Sequence, residues 1–278
     1  MFAFNKLPDA PIIMAILNVT PDSFSDGGVY LETNKAYEKA SKDFDDGADI
    51  IDIGGESSRP GAVSVSVNVE MKRVIPVIKK IRSKLPNVII SIDTTKPEIA
   101  CAALNEGVQI VNDITGGSNS DLLKIVNSFE AGLILMHMQG TPKTMQIAPR
   151  YTDVTEELVE FLRTRVTQAQ NFGVNTTQIC VDPGIGFGKT FRQNYEILAN
   201  LNRFVDCFDS VMLGASRKKF LRDSVEQSNP NNILGATCAT TSYGVLQGAK
   251  IFRVHDVKEN RQAADVAWKI KKYEGSDE

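Results

Sequence analysis

The sequence is poor in residues that mark several protein classes. Its 278 residues include only two histidines, one tryptophan and four cysteines. No two cysteines have Cys-X-X-Cys spacing, so we expect reduced thiols in a cytoplasmic protein. The longest apolar stretches, such as residues 12–17, are far shorter than the roughly 18 residues of a membrane span. The N-terminus also lacks the apolar core of a signal peptide.

Positive charge is not concentrated anywhere in the chain. The net charge is −3 at pH 7, and no block of Lys and Arg is present. Nucleic-acid binding needs a concentrated basic surface, so small-molecule partners are expected rather than nucleic acid or a membrane. The length is close to the roughly 250 residues of one (β/α)₈ barrel, which predicts a single domain over residues 1–278.

Short apolar runs rich in β-branched residues recur, and each is followed by a polar loop and a helical pattern. The eight runs are residues 12–17, 50–53, 88–92, 110–111, 133–136, 179–181, 211–213 and 251–254. Both faces of each run are apolar, as in buried parallel strands. Eight alternating β and α units favour a single α/β (β/α)₈ TIM barrel over a doubly wound sheet, although periodicity alone does not exclude the latter.

Local signals give further expectations about helices and loops. Thr33 and Ser120 are candidate N-caps, and Pro97 suits a first helical turn. Pro76 lies within a helical pattern, where we expect a kink. The loops after the first two strands, residues 18–32 and 54–66, are long and rich in small residues, so we predict lids, with a plain insertion as the alternative.

Polar clusters follow all eight runs. In a barrel these clusters would meet at the C-terminal face, where enzymes of this fold keep their chemistry. Cationic or titratable residues in this mildly acidic chain point to an anionic ligand such as phosphate. These residues are Arg59, Lys189, Arg217, Lys218, Arg253 and His255.

A second set of strand-end residues carries carboxylate and amide groups. Asp93, Asn112 and Asp182 suit a flat heterocycle that presents adjacent N–H donors, because a carboxylate accepts two such bonds. A carboxylate metal cage fits less well.

Structural alternatives remain open for individual residues. Asp93 and Asp182 could cap helices, and Asn112 could fix a turn. Lys189 and Arg217 could be solvated charges, and Phe187 could be a core aromatic. Asp113 is expected to be structural, and His137 is expected to be a packed wall residue.

Taken together, the strand-end motifs resemble a known family. Residues 16–28, Ile-Leu-Asn-Val-Thr-Pro-Asp-Ser-Phe-Ser-Asp-Gly-Gly, closely resemble the first signature of dihydropteroate synthases. Residues 54–61 resemble the second signature. Residues 182–189, 216–218 and 253–255 resemble three more, so the likeness covers nearly the whole chain. Many members have Thr where this chain has Ser58, which retains the hydroxyl.

The resemblance implies a reaction and a cofactor. Such enzymes join 4-aminobenzoate to 6-hydroxymethyl-7,8-dihydropterin diphosphate, giving 7,8-dihydropteroate and pyrophosphate for folate synthesis. It further implies Mg²⁺ on the diphosphate, inhibition by sulfonamides that compete with 4-aminobenzoate, and a homodimer.

The resemblance also implies residue roles. Asp93, Asn112 and Asp182 would hold the polar edge of the pterin, with Lys218 on its opposite polar atoms. Met136 would pack on the ring. Ser58, Arg253 and His255 would bind the diphosphate, and Asn18 would contact the metal. The aminobenzoate would be bound by Arg59, Ser216, Phe24 and Phe187. The lid positions would be Asp22, Phe24, Ser58, Arg59 and Pro60. The catalytic set would be Asp93, Asp182, Lys218, Arg253 and His255.

Three rival functions fit parts of the sequence. A pterin-dependent methyltransferase would share the acid and amide pocket without needing the diphosphate cluster. A Schiff-base aldolase would use Lys218 or Lys189. An inactive paralogue would only bind the pterin.

Overall fold

Eight parallel strands alternate with helices in the computed structural model, which describes residues 1–20 and 29–274. The strands are β1 Ile12–Asn18, β2 Ile50–Gly54, β3 Ile89–Asp93, β4 Ile110–Asp113, β5 Gly132–Met136, β6 Ile179–Asp182, β7 Met212–Leu213 and β8 Ile251–Val254. The helices are α1 Val29–Asp45, α2 Val67–Lys84, α3 Pro97–Asn105, α4 Ser120–Ser128, α5 Val154–Asn171, α6 Phe191–Ala199, α7 Leu201–Cys207, α8 Lys219–Ser224, α9 Leu234–Leu246 and α10 Val257–Tyr273.

The sheet closes on itself. Its strand order is β6-β5-β4-β3-β2-β1-β8-β7, and all seven pairs of neighbours in this order are parallel. A parallel bridge between Val181 and Val211 joins β6 to the start of β7, where the Val181 amide donates to the Ser210 carbonyl at 3.0 Å. The predicted (β/α)₈ barrel is therefore confirmed, and the doubly wound alternative is wrong.

The apolar runs supply two separate cores. The larger core fills the space between the strands and the surrounding helices. The smaller one fills the N-terminal end of the barrel and contains Phe4, Ile12, Met14, Ile50, Ile110, Ile134, Cys180, Met212 and Ile251. Since this end is packed with apolar side chains, the polar groups of the barrel interior lie towards the opposite mouth.

Some local predictions were wrong at helix boundaries. Helix α1 begins at Val29, so Thr33 lies inside the helix and the first loop is shorter than residues 18–32. Asn119 caps α4 instead of Ser120, because its side chain accepts a hydrogen bond from the Asp121 amide. Pro97 does occupy the first turn of α3, as predicted.

Helix α2 is continuous through Pro76. Its apolar face holds it against the barrel through the buried Val74, Val77 and Ile78. Proline at 76 removes the N–H that would bond the carbonyl of Lys72, and Lys72 is exposed, so water can reach that carbonyl.

Two further observations concern the chain as a whole. Across residues 1–20 and 29–274, no helix is both long enough and apolar enough to cross a membrane. All four cysteines lie in the described residues and are free thiols.

Candidate active site

A row of paired residues crosses four strands at the C-terminal mouth of the barrel. Asn18 pairs with Gly54, Gly54 with Asp93, and Asp93 with Asn112. Side chains in one such row point to the same face of the sheet. A Cβ at Gly54 would lie 3.5 Å from Asn18 Oδ1 and 3.7 Å from Asp93 Oδ2. The glycine therefore leaves open the space that these two oxygens border.

Arg253 lies between two carboxylates at this mouth. Its Nε donates to Asp52 Oδ2 at 2.6 Å, and its Nη2 donates to Asp93 Oδ2 at 2.7 Å. Asn112 Nδ2 also donates to Asp52 Oδ2, at 3.1 Å. The sequence predicted an anion-binding set and an acid/amide set, and the structure brings Arg253 of the first set into contact with Asp93 of the second.

Asp52 was missed by the sequence analysis. It lies inside an apolar strand run, two residues before the strand end, where no loop signal draws attention to it. A single charged residue inside a fully buried parallel strand was the available signal. The contacts of Lys96 with Glu56 and Glu70 were also missed, because they join residues of the loop after β2, of helix α2 and of the loop after β3.

The environment of Asp93 changes its protonation. Burial raises the pKa of Asp93 to about 7. The Asp52 carboxylate also raises this pKa, whereas the positive charge of Arg253 lowers it. The carboxyl group therefore titrates near neutral pH. Asp93 does not cap α3, whose N-cap residue is Lys96.

Asp182 presents one oxygen to a turn and the other towards the mouth. Its Oδ1 accepts a hydrogen bond from the Gly184 amide at 2.7 Å. Its Oδ2 lies 3.8 Å from the position of a Cβ at Gly214. Burial raises the pKa of Asp182. The following helix, α6, is capped by Thr190, so helix capping explains neither acid.

An apolar wall adjoins these acids. Met136, Met145 and Phe187 form a small buried cluster. The Lys218 ammonium lies 3.9 Å from the centroid of the Phe187 ring. Burial, helped by the charge of Arg253, lowers the pKa of Lys218 to about 8. Phe187 is therefore a wall residue whose ring also contacts a cation.

Lys189 is locked inside the loop that follows β6. It is 3% exposed. Its Nζ donates to the carbonyls of Gly184 and Phe187, both at 2.8 Å, and lies 3.0 Å from His137 Nδ1. Both interpretations of Lys189, as an anion ligand and as a solvated charge, were wrong, because four protein atoms, including the His137 carbonyl at 3.3 Å, surround the buried amine.

His137 is the packed wall residue that the sequence predicted. Its ring meets that of Phe161 edge-on, with 4.8 Å between centroids. Burial, with the nearby charge of Lys189, lowers the pKa of His137 to about 2. Asp113 is structural as predicted, since its carboxylate accepts from Thr115 and from the Gly117 amide.

The loops after β7 and β8 are bound to each other. Arg217, at a φ of 59°, donates to both carboxylate oxygens of Asp256, at 3.0 and 2.6 Å. Arg217 is therefore neither a solvated charge nor a free anion ligand.

Ser216 Oγ lies 3.0 Å from His255 Nδ1 and accepts from the His255 amide at 3.2 Å. Burial and the charge of Arg217 lower the pKa of His255 to about 3, so its imidazole is neutral.

Loop 2, residues 55–66, is tied down at its base and at its tip. Glu56 Oε2 accepts from Val65 N at 2.8 Å and from Lys96 Nζ at 2.6 Å. At the tip, the Gly61 amide donates to the Pro142 carbonyl at 3.0 Å. Within this loop Ser58 is half-buried, whereas Arg59 and Pro60 are exposed. The predicted lid residues Asp22 and Phe24 lie outside the described residues.

The donor set fits a magnesium ion that is shared with a substrate. In the described part of the chain, no group of three or more His, Cys, Asp or Glu could hold a metal ion. Asn18 Oδ1 faces the opening above Gly54. Mg²⁺ is commonly held by one or two protein oxygens together with substrate phosphates, so the single amide oxygen fits that use.

Comparisons with known proteins agree with this geometry. Residues 14–255 match the family model described as "Pterin binding enzyme". The chain is 41% identical to a dihydropteroate synthase of Synechocystis over 261 residues, covering 92% of this chain and 90% of that protein.

Two solved structures share the fold over nearly their whole length. The Yersinia pestis dihydropteroate synthase in a sulfonamide complex has a TM-score of 0.90 and 34% identity, covering 98% of this chain and 99% of that one. The Xanthomonas albilineans dihydropteroate synthase in complex with 7,8-dihydropteroate has a TM-score of 0.85 and 33% identity, with 95% of each chain covered. The chain therefore belongs to the pterin-binding enzymes, and within them to the dihydropteroate synthase family.

Proposed function

We propose that the chain condenses 4-aminobenzoate with 6-hydroxymethyl-7,8-dihydropterin diphosphate to give 7,8-dihydropteroate and pyrophosphate. The observation that carries this proposal is the mouth of the barrel, where Asp93, Asn112 and Asp182 adjoin Arg253 and the Met136–Phe187 wall. Formation of dihydropteroate from these two substrates, with release of one pyrophosphate for each product, tests it.

The acids and the amide suit the pterin. Asp93, Asn112 and Asp182 offer acceptor oxygens for the N–H groups at its polar edge, while Lys218 donates to its carbonyl and ring nitrogen. Met136, buried at the end of β5, provides an apolar surface for one face of the ring. Because Asp93, Asn112 and Asp182 are already held by hydrogen bonds, little reorganisation accompanies binding.

Arg253, the neutral imidazole of His255 and the Ser58 hydroxyl suit the diphosphate as hydrogen-bond donors. Arg253 and His255 come from the end of β8, and Ser58 is half-buried in loop 2. Asn18 would hold Mg²⁺ against the diphosphate oxygens. When bound, the ion would neutralise charge on the leaving pyrophosphate.

The carbon–oxygen bond to the diphosphate breaks ahead of attack by the amine. The electron pair leaves with pyrophosphate, and a dihydropterin cation forms at the methylene carbon. The carboxylates of Asp93 and Asp182 stabilise that cation, and the neutral aromatic amine then forms the carbon–nitrogen bond and releases its proton to solvent. Loop 2, residues 55–66, excludes water from the cation until the amine has attacked.

This order of bond changes has a direct test. High concentrations of enzyme, incubated with pterin diphosphate and Mg²⁺ but without 4-aminobenzoate, should release measurable pyrophosphate. Release that stays undetectable until 4-aminobenzoate is added would indicate concerted displacement.

The second substrate binds beside Phe187. We propose that Ser216 and Arg59 contact its carboxylate, while Phe187 and Phe24 border its ring. Sulfonamides would compete with 4-aminobenzoate because they would bind at the same position.

We also propose that the protein is a cytoplasmic homodimer. Sedimentation of the purified protein, expected at twice the mass of the 30.5 kDa chain, tests the oligomeric state.

A further inference from the structure

Asp52 occupies an unusual position for a carboxylate. It lies in the middle of β2, flanked by Ile51 and Ile53, and is 0% exposed. Oδ2 serves two donors, whereas Oδ1 is buried and has no hydrogen-bond partner among the described residues. A buried charge and an unpaired buried oxygen both carry a free-energy cost that an apolar side chain would avoid. The position of Asp52 is therefore better explained by the groups it holds than by barrel stability.

The strand register places Asp52 directly beneath the site. Asp52 pairs with Ser91, in the row one layer below Gly54, Asp93 and Asn112. Since Asp52 is two residues before Gly54, both positions face the barrel interior. Asp52 is thus part of the floor of the mouth rather than of its lining.

The chemistry of a carboxylate restricts the orientation of Asn112. Asp52 Oδ2 accepts a hydrogen bond from Arg253 Nε at 2.6 Å, so this oxygen faces Asn112 as an acceptor. Asn112 must therefore turn its Nδ2 amide down to Asp52, at 3.1 Å, and its carbonyl oxygen Oδ1 away from the floor. Because the Asp52 carboxylate accepts from the Nδ2 amide of Asn112, the other side of the Asn112 side chain presents its acceptor oxygen, Oδ1.

The same carboxylate also fixes Arg253. Nε is held by Asp52 at 2.6 Å and Nη2 by Asp93 at 2.7 Å, so two separate carboxylates contact the planar guanidinium. These two contacts restrict rotation of the guanidinium plane. The third nitrogen, Nη1, is then presented in a fixed direction.

We propose that Asp52 is a positioning residue that sets the donor and acceptor pattern of the barrel mouth. It turns Asn112 Oδ1 towards the N–H donors of the dihydropterin and Arg253 Nη1 towards the diphosphate. Asp52 itself touches neither substrate. This inference rests on the proposed function and deepens it, because it names the residue that selects for a ring with donors at that edge.

The decisive variant is Asp52→Leu, which is similar in size but accepts no hydrogen bond. The Leu variant leaves Arg253 with Asp93 as its remaining carboxylate partner, so it should fold with a lower Tm than the wild type, and binding is measured below that Tm. Its Kd for 6-hydroxymethyl-7,8-dihydropterin, measured by calorimetry, should rise about tenfold or more, which is ~1.4 kcal/mol. Affinity for Mg²⁺-pyrophosphate should fall in parallel.

A conservative variant and a matched control separate positioning from a general structural role. Asp52→Asn keeps one acceptor oxygen for Asn112 and Arg253, so its Kd for the dihydropterin should stay within about threefold of the wild type. Ser91→Ala removes the neighbouring side chain of the same layer, whose buried hydroxyl has no hydrogen-bond partner within residues 1–20 and 29–274. It should leave binding unchanged. If the Leu variant does not fold, Asp52→Ser, too short to reach either group, takes its place.

The outcomes distinguish this inference from the function on which it rests. Wild-type binding together with a Leu variant that binds equally well overturns the inference alone. An Asn variant as weak as the Leu variant also overturns it, since the acceptor oxygen would then not matter. A wild-type protein that does not bind the dihydropterin overturns the proposed function and the inference together.

Discussion

Asp93 and His255 lie at the same mouth but differ in where they titrate. The pKa of Asp93 is raised by burial to about 7, whereas burial and neighbouring arginines lower that of His255 to about 3. Protonation of Asp93 removes an acceptor for the pterin N–H groups and occurs as the pH falls. A loss of ligand binding as the pH falls through neutrality is therefore caused by Asp93 and not by His255, whereas Lys218, with a pKa of about 8, loses its charge as the pH rises.

Binding of the dihydropterin without its diphosphate should accordingly weaken as the pH falls. We expect log Kd for 6-hydroxymethyl-7,8-dihydropterin to rise below a midpoint of about 7, since the ionised form of Asp93 is the one that accepts. His255→Gln should keep the same midpoint. A profile that is flat across this range, or a midpoint that disappears in the Gln variant, would contradict the assignment.

The charge of Asp182 should matter for turnover. Asp182→Asn keeps the shape but loses the charge that stabilises a dihydropterin cation, so kcat should fall at least about tenfold, or ~1.4 kcal/mol. Asp153→Asn is the matched control, because Asp153 is an exposed N-cap of α5 and Asn caps equally well. Wild-type turnover in Asp182→Asn would remove Asp182 from the mechanism.

At the scale of single elements, strands were easier to predict than the contacts between loops. The eight apolar runs located the strands to within two residues, because burial on both faces demands continuous apolar sequence. The strand-end clusters likewise located Asp93, Asn112 and Asp182. The Asp52–Arg253 pair joins residues 201 positions apart, and local pattern carries no information about such a pairing.

The loop after β6 provides an element-scale prediction. Gly184 has a φ of 70°, and a Cβ there would lie 1.9 Å from the His137 carbonyl oxygen. Gly184→Ala must displace the loop that carries Phe187 and anchors Asp182, so kcat/KM should fall by more than about tenfold. Steady-state kinetics of this variant and of its control check the prediction.

Gly107→Ala is the control, since Gly107 also has a positive φ of 85° but its Cβ would meet no atom closer than 3.4 Å. Gly107 lies before β4, at the opposite end of the barrel. Backbone strain in Gly107→Ala should lower the unfolding free energy by about 1–2 kcal/mol and have no other effect. Equal kinetic losses in both variants would mean that loop strain alone, rather than the clash with His137, determines activity.

The network beneath loop 2 belongs to the same scale. Lys96 Nζ lies 2.6 Å from Glu56 and 2.5 Å from Glu70, and the Glu70 side chain is fully buried. Lys96→Met leaves that carboxylate without its cation, so unfolding free energy in urea should fall by about 3–5 kcal/mol. Lys79→Met, which removes an exposed ion pair with Glu106, should cost under about 1 kcal/mol. Equal losses in the two variants would show that the buried Lys96–Glu70 pair contributes no more to the unfolding free energy than an exposed ion pair does.

Across the whole molecule, stability and chemistry lie at opposite ends of the barrel. Phe4 fills the N-terminal end, where its ring meets that of Phe2 edge-on at 5.1 Å. Eight β/α units and the chain length predicted the closed barrel. The packing of the residues ahead of β1 into its N-terminal end was not predictable, because nothing in a short aromatic segment specifies its distant partners.

Phe4→Ala should therefore lower stability without altering the site. We expect about 3–5 kcal/mol less unfolding free energy and unchanged KM values for both substrates. Phe191→Ala, at an exposed position, should change stability little. Altered KM values in the Phe4 variant would show that the two ends of the barrel are coupled.

The central claim is that the polar mouth of this barrel joins a dihydropterin to 4-aminobenzoate. The most direct measurement follows 7,8-dihydropteroate and pyrophosphate together, with purified protein, Mg²⁺ and both substrates, in the wild type and in Asp182→Asn. The account predicts one pyrophosphate per dihydropteroate in the wild type and a strongly reduced rate of both in the variant. Absence of dihydropteroate from the wild-type reaction, with folded protein and both substrates present, would contradict it.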